Sequence, residues 1–129
     1  MPELTFASSG LYIRSRDIAK IGQLYLQNGS WNGNQIVSNE WVEESTSGQI
    51  DVPPSNFFGS ACNSYGYQWW IVNFAHNVNT FVAAGFGGQF IIVMPSLDMI
   101  IVITQGDYYW EHPNIVFEIV NSYILQAVN

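Results

Sequence analysis

Phe90-Ile-Ile-Val-Met94 and Met99-Ile-Ile-Val-Ile-Thr104 are two apolar runs separated by Pro95-Ser-Leu-Asp98. Proline, serine and aspartate supply turn chemistry between two runs of strand length, which predicts a hairpin. The runs are continuous rather than alternating, so both faces of the hairpin must be covered and the sheet lies between two layers. Ile92, Val102 and Ile103 are expected to be buried. Upstream, a strand over about 80–84 ends in Gly85-Phe-Gly-Gly-Gln89, and Tyr65-Gly-Tyr-Gln-Trp-Trp-Ile-Val72 alternates with Tyr65, Tyr67, Trp69 and Ile71 on one face. The segment 47–64 carries Gly48, Pro53, Pro54 and Gly59 among serines and asparagines, and reads as a loop. An antiparallel sheet of three to four strands is the result.

Helices flank this sheet in the sequence. Ser15 is expected to cap a first helix with Asp17 in its opening turn and Ile18, Ile21, Leu24 and Tyr25 at helical spacing, stopping at Asn28-Gly29. Ser38 reads as the N-cap of a short helix over about 39–46, with Glu40 at the dipole-favoured end. Pro113 opens a last helix with Val116, Ile119, Val120, Tyr123 and Ala127 along one stripe. The expected organisation is one α+β domain over 1–129: helical 8–46, loop 47–64, sheet 65–105 and helix 113–127.

Composition narrows the function classes. The 129 residues hold 3 Lys and Arg against 10 Asp and Glu, a net charge of −7. All three cations, Arg14, Arg16 and Lys20, lie within seven residues. Nucleic acid is excluded as a partner, because phosphate binding needs cationic groups that release counterions, and an anionic membrane surface is disfavoured for the same reason. No apolar run reaches the roughly 18 residues of a membrane span, and the start Met1-Pro-Glu-Leu4 lacks the pattern of a signal peptide. Charged residues are 10% of the chain while aromatics reach 16%, which points to an apolar groove or a permanent partner. Cys62 is alone and forms no intramolecular disulfide.

The chemistry is first a matter of exclusion. Ser-x-x-Lys is absent, because the only lysine, Lys20, has Asp17 three residues before it; Gly-x-Ser-x-Gly is absent too. His76 and His112 stand 36 positions apart and support no metal site; His76 reads as solvated and His112 as a polar residue before a helix start. Asp98 and Asp107 flank the last strand about 30 Å apart at the usual rise per residue, too far for an acid–base pair, and read as turn residues. No catalytic residue, metal or cofactor is expected. What remains is Gly85-Phe86-Gly87-Gly88-Gln89, where glycines let a ligand approach the backbone or simply make a tight bend, beside Tyr67 and Trp69, aromatics that build a core or line a groove. These seven residues are the candidate substrate-binding set.

Taken in order, Ser9-Gly-Leu-Tyr-Ile-Arg-Ser-Arg-Asp-Ile-Ala-Lys-Ile-Gly-Gln-Leu-Tyr-Leu26, Asn28-Gly-Ser-Trp-Asn-Gly33, Ile36-Val-Ser-Asn-Glu-Trp-Val42, Tyr65-Gly-Tyr-Gln-Trp-Trp70 and Ala84-Gly-Phe-Gly-Gly-Gln89 resemble the β-lactamase-related serine hydrolases over about residues 8–127. That family includes class C β-lactamases, penicillin-binding-protein-like peptidases, esterases and 6-aminohexanoate-dimer hydrolases, and its members are mostly bacterial. The resemblance covers the C-terminal part of the catalytic domain. It implies a partial β-lactamase/transpeptidase-like fold, with a cleft along a strand edge whose Lys/His-Thr/Ser-Gly element falls on Ala83-Ala84-Gly85, only the glycine being kept. Phe86 stands where some members have histidine. A full-length member would hydrolyse an amide or ester through an acyl-enzyme, a main-chain amide near Gly85 assisting the oxyanion. Such members are often extracytoplasmic. The chain is then expected to be inactive alone, the alternative being a binding or assembly module that uses the aromatic and Gly-rich edge. Its expected partners are the missing N-terminal catalytic portion or a second copy in a homodimer, with a small amide or ester as ligand.

Overall fold

The structure is a computed structural model that describes residues 10–54, 58, 60–75, 78–109, 111–112 and 114–128. The assignments to His76 and Pro113 lie outside the described residues. At its centre is a six-stranded antiparallel sheet in sequential order, β3 (Ile50–Asp51), β4 (Cys62–Tyr65), β5 (Trp70–Phe74), β6 (Val78–Gly85), β7 (Gln89–Met94) and β8 (Met99–Thr104). A separate ribbon of β1 (Ser30–Trp31) and β2 (Asn34–Gln35) follows the first helix. The class is α+β, as the sequence implies, but the sheet has six strands rather than three to four. The two extra strands fall in the segment read as a loop. Both are short, carry no period of their own, and exist because each finds a neighbour: Ile50 opposite Tyr65, Asp51 opposite Ser64, Cys62 opposite Val72.

The β7–β8 hairpin forms as expected, with Phe90 opposite Ile103 and Met94 opposite Met99. Its turn is a 3₁₀ segment, Pro95–Leu97, closed by Asp98 in the left-handed region at φ +48°. The expected strand 65–72 is instead broken. β4 ends at Tyr65, the Gly66 N–H donates to the Trp69 carbonyl at 2.8 Å, Gln68 takes φ +69°, and β5 starts at Trp70. This corner leaves Trp69 on the Ile71 face of the sheet and sets Tyr65 opposite Trp70. Trp69 becomes a buried core residue, its ring 4.7 Å from that of Tyr25 and 5.0 Å from that of Phe81.

Strand alternation splits the core into two layers. Phe81, Val93, Ile71, Ala83 and Ile91 face α1 (Ser15–Leu26) and pack with Trp69, Tyr25 and Leu26. Val72, Phe74, Val82, Phe90, Ile92 and Met94 point the other way, toward Val116, Val120 and Leu125 of the C-terminal helix. The sheet therefore lies between two helical layers. Ile92 is fully buried, but Val102 and Ile103 are only half-buried, because β8 is the edge of the sheet and has a neighbour on one side alone.

Local signals explain the helices. Arg14, not Ser15, occupies the N-cap of α1; Ser15 is its first residue and lies 3.5 Å, hydroxyl to hydroxyl, from Thr104. Asn28 and Gly29 end the helix at φ +51° and +80°. Ser38 caps α2 (Asn39–Ser45), accepting from the Trp41 N–H at 3.1 Å. The C-terminal helix runs as α3 (Ile115–Ile119), a π-turn (Val120–Ile124) and α4 (Leu125–Ala127). The π-turn changes the expected stripe: residues five apart share a face there, so Leu125 joins Val116 and Val120 in the core while Tyr123 turns to solvent.

Candidate functional site

An open groove of about 820 Å³ lies at the end of the sheet where β6 stops. Its floor is Ala83, Ala84 and Gly85 of β6 with Phe90 and Ile91 of β7 and Thr104 of β8. Ile18 and Ile21 of α1 make one wall, continued by the extended segment Leu11–Arg14; Tyr65 and Gln68, at the corner between β4 and β5, stand in the other, and Phe86 and Tyr108 close the rim. The lining is apolar and aromatic. Arg14 is its only charged residue, and no histidine, lysine or carboxylate is among the lining residues.

The Gly85–Gln89 cluster is a tied turn at this rim. The Gly88 N–H donates to the Gly85 carbonyl at 3.3 Å, and the chain leaving β8 closes over it: Gln105 N–H to the Gly88 carbonyl at 3.1 Å, Asp107 N–H to the Gly87 carbonyl at 3.2 Å. The Gln89 side chain adds a bond from Nε2 to the Gln105 carbonyl at 2.6 Å. Gly87 and Gly88 hold φ of +80° and +83° and are buried. A β-carbon at Gly88 would stand 2.8 Å from that of Gln105, so both the backbone region and the close approach demand glycine. The turn thereby seats Tyr108, whose ring lies 5.5 Å from that of Phe86.

Of the seven expected binding residues, Gly85, Phe86 and Gln89 line the groove, and Gly87 and Gly88 shape it from beneath. Tyr67 and Trp69 do not line it. Tyr67 stacks on Trp41 of α2, ring centroids 5.3 Å apart and planes 2° from parallel, and Trp69, placed in the candidate binding set, sits in the core. Tyr65, which alternation placed on one face with Tyr67 and Trp69, lines the groove instead, together with Gln68, which alternation had not singled out. Thr104, Tyr108 and Leu11–Arg14 were missed too. A signal for Tyr108 existed in the Gly87-Gly88 pair, since paired glycines mark a place where another group comes close. Asp107 is a turn residue, its carboxylate accepting from the Glu111 and His112 N–H groups at 2.9 and 3.0 Å.

A groove lined by apolar and aromatic groups with a few polar ones is the kind of surface that holds a small ligand. Among the described residues no cluster of His, Cys, Asp and Glu has the arrangement of a metal site. Among the described residues no helix is long and apolar enough to cross a membrane.

Comparison with known proteins gives this fold a class. No family model matches the chain. The chain is 34% identical over 113 residues to the 6-aminohexanoate-dimer hydrolase of Paenarthrobacter ureafaciens, which is 84% of this chain and 27% of that protein. Among solved structures, one from Bacillus anthracis that carries the provisional name 6-aminohexanoate-dimer hydrolase superposes with a TM-score of 0.63 at 30% identity, over 88% of this chain and 28% of the other. The similarity is thus to part of a hydrolase, consistent with the C-terminal part of a β-lactamase-like serine hydrolase. Within that class, the relatives here carry the name 6-aminohexanoate-dimer hydrolase, and the chain spans about a quarter of their length.

Proposed function

We propose that this chain is the substrate-holding wall of a β-lactamase-related amide or ester hydrolase and does not carry out hydrolysis alone. The observation that carries the reading is the groove itself. It lies along the Gly85 edge, it is built to receive an apolar ligand, and its lining offers no base beside a hydroxyl. Similarity to part of two hydrolases supports the class of substrate. In this reading Gly85, Phe86 and Gln89 contact the ligand, Gly87 and Gly88 fix the shape of the rim, and the nucleophile comes from the remaining catalytic portion.

The test is direct. The chain is expected to take no label from fluorescent penicillin or a fluorophosphonate, and to hydrolyse neither nitrocefin nor p-nitrophenyl esters above background. Stoichiometric labelling of a serine, located by peptide mass spectrometry, overturns the reading. A second reading, a non-enzymatic binding module, is favoured by the aromatic rim of Phe86 and Tyr108. Co-expression with the N-terminal portion of a related hydrolase separates the two: restored hydrolysis supports the first, and binding without hydrolysis the second.

A further inference from the structure

β4 and β5 are joined by the tight turn Gly66-Tyr-Gln-Trp69, whose ends are tied by the Gly66 N–H and the Trp69 carbonyl. Of its two central residues only Gln68 has a positive φ, +69°, and a turn of this sign pattern takes glycine or asparagine there. Among the described residues four others than glycine hold the left-handed region: Asn28, Asn32, Asp98 and Gln68. Asn and Asp tolerate it, because their short polar side chains bond to the nearby backbone. Gln68 is the exception. A residue held in a sparsely populated region, where the fold would do better with glycine, calls for a use outside the fold.

The fold gains little from this side chain. Gln68 is exposed, and among the described residues its carboxamide has no hydrogen-bond partner. The other carboxamide of the groove, on Gln89, has its Nε2 committed to the Gln105 carbonyl at 2.6 Å. Gln68 therefore carries the one uncommitted carboxamide donor among the lining residues. Its place is set by register. Counting back from Trp70, which stands opposite Val82, Gln68 comes level with Ala84 and next to the Gly85 edge. A neutral group that both donates and accepts thus stands in a wall that is otherwise mostly apolar, which is how a few polar groups orient a ligand in such a groove.

We propose that Gln68 is a specificity-determining residue of the groove: its carboxamide donates a hydrogen bond to a neutral carbonyl flanked by apolar groups, level with Ala84 and Gly85, and the left-handed backbone is retained to hold it there. The proposal rests on the reading of the groove as a substrate-holding wall. A neutral donor meets a carbonyl without the desolvation cost of a charge, and it disfavours a ligand that covers it and offers no acceptor. Glycine at this position would relax the backbone and leave the carbonyl without its donor. Stability and recognition are opposed at this residue, as they are wherever a strained conformation is kept for a ligand.

Two probes and three variants test this. N-butylpentanamide and the carbonyl-free butyl pentyl ether are titrated into the chain while the Phe86 and Gln89 amides are followed by NMR, and each variant is also unfolded in urea. The unaltered chain is expected to bind the amide more tightly than the ether. Gln68→Glu, of the same shape but without a donor, should bind the amide about tenfold more weakly with little change in urea midpoint. Gln68→Gly should raise the midpoint and abolish the preference for the amide. Gln68→Asn, which suits the left-handed backbone and keeps a carboxamide, should raise the midpoint and recover part of that preference. Undiminished amide binding by Gln68→Glu, a preference that survives in Gln68→Gly, or a Gln68→Gly chain less stable than the original overturns the proposal and leaves the groove reading standing. Phe86 and Gln89 amides that respond to neither probe in the unaltered chain overturn the groove reading, and this proposal with it.

Discussion

Gly66 shows how one residue sets the geometry of a site. It is buried beneath the end of α2, and a β-carbon there would collide with the Ser45 carbonyl oxygen, a backbone atom that cannot swing away. The same carbonyl accepts from the Tyr67 N–H at 2.9 Å. Gly66→Ala is therefore expected to cost about 1–3 kcal/mol, as overpacking does, and to disturb the corner that carries Tyr65 and Gln68 into the groove. Gly106→Ala, whose new carbon would meet nothing closer than Tyr108 at 3.8 Å, is the control and should change the urea midpoint little.

Cys62 is a second case at this scale. Burial in the main core pushes its thiol above the ordinary value of 9.0, because a thiolate there would lose its hydration. The folded protein holds the proton more tightly than the unfolded chain, so this group's contribution to stability is whole below pH 9 and declines as pH rises above it. Two measurements check it. A thiol reagent should titrate Cys62 only after denaturant is added, and Cys62→Ala should flatten the fall in stability above pH 9.

At the scale of elements, the caps and the π-turn carry the argument. Ser38→Ala removes the acceptor for the Trp41 N–H and is expected to lower stability by about 1 kcal/mol. Since α2 supports Tyr67 and the corner through the Trp41 ring and the Ser45 carbonyl, the loss should be felt at Tyr65 and Gln68 as well. Amide exchange at 66–69, faster in the variant, is the check. The π-turn of the C-terminal helix brings Leu125 to 1% exposure. Leu125→Ala is expected to cost about 2–5 kcal/mol by thermal or urea unfolding, whereas Tyr123→Ala, on the solvent face, should cost far less. A regular α-helix would predict the reverse emphasis.

At the scale of the whole molecule, the spacing of α1 from the sheet decides whether a groove exists. Gly22 is the only buried residue of α1, and a β-carbon there would lie 2.8 Å from Ile100 Cγ2 and 3.0 Å from Ile91 Cγ2. The helix rests almost directly on β7 and β8. Gly22→Val is expected to lift it, costing about 1–3 kcal/mol and loosening the packing of Tyr25 on Trp69, which a shift in tryptophan emission would report. Gly22→Ala should be close to neutral, its crowding offset by the better helix propensity of alanine, about 1 kcal/mol.

The sequence by itself determined the elements whose causes are local. The β7–β8 hairpin needs only two apolar runs and Pro95-Ser-Leu-Asp98; α2 needs only Ser38; the end of α1 needs only Asn28-Gly29. The layered α+β class follows from the doubly apolar hairpin, and the place of the Gly85–Gln89 rim from its glycines. Tertiary structure decided the rest. The strands β3 and β4 have no period of their own and form because neighbours offer hydrogen bonds. Trp69 packs in the core with Ile71, while Tyr65 and Gln68 reach the groove because the chain turns a corner at Gly66, where the Ser45 carbonyl, 21 positions away in sequence, leaves no room for a side chain. Leu125 displaced Tyr123 because packing against the sheet selected a π-turn. Periodicity records which face a residue would take if its element ran on unbroken, and only contacts between distant segments fix where an element stops.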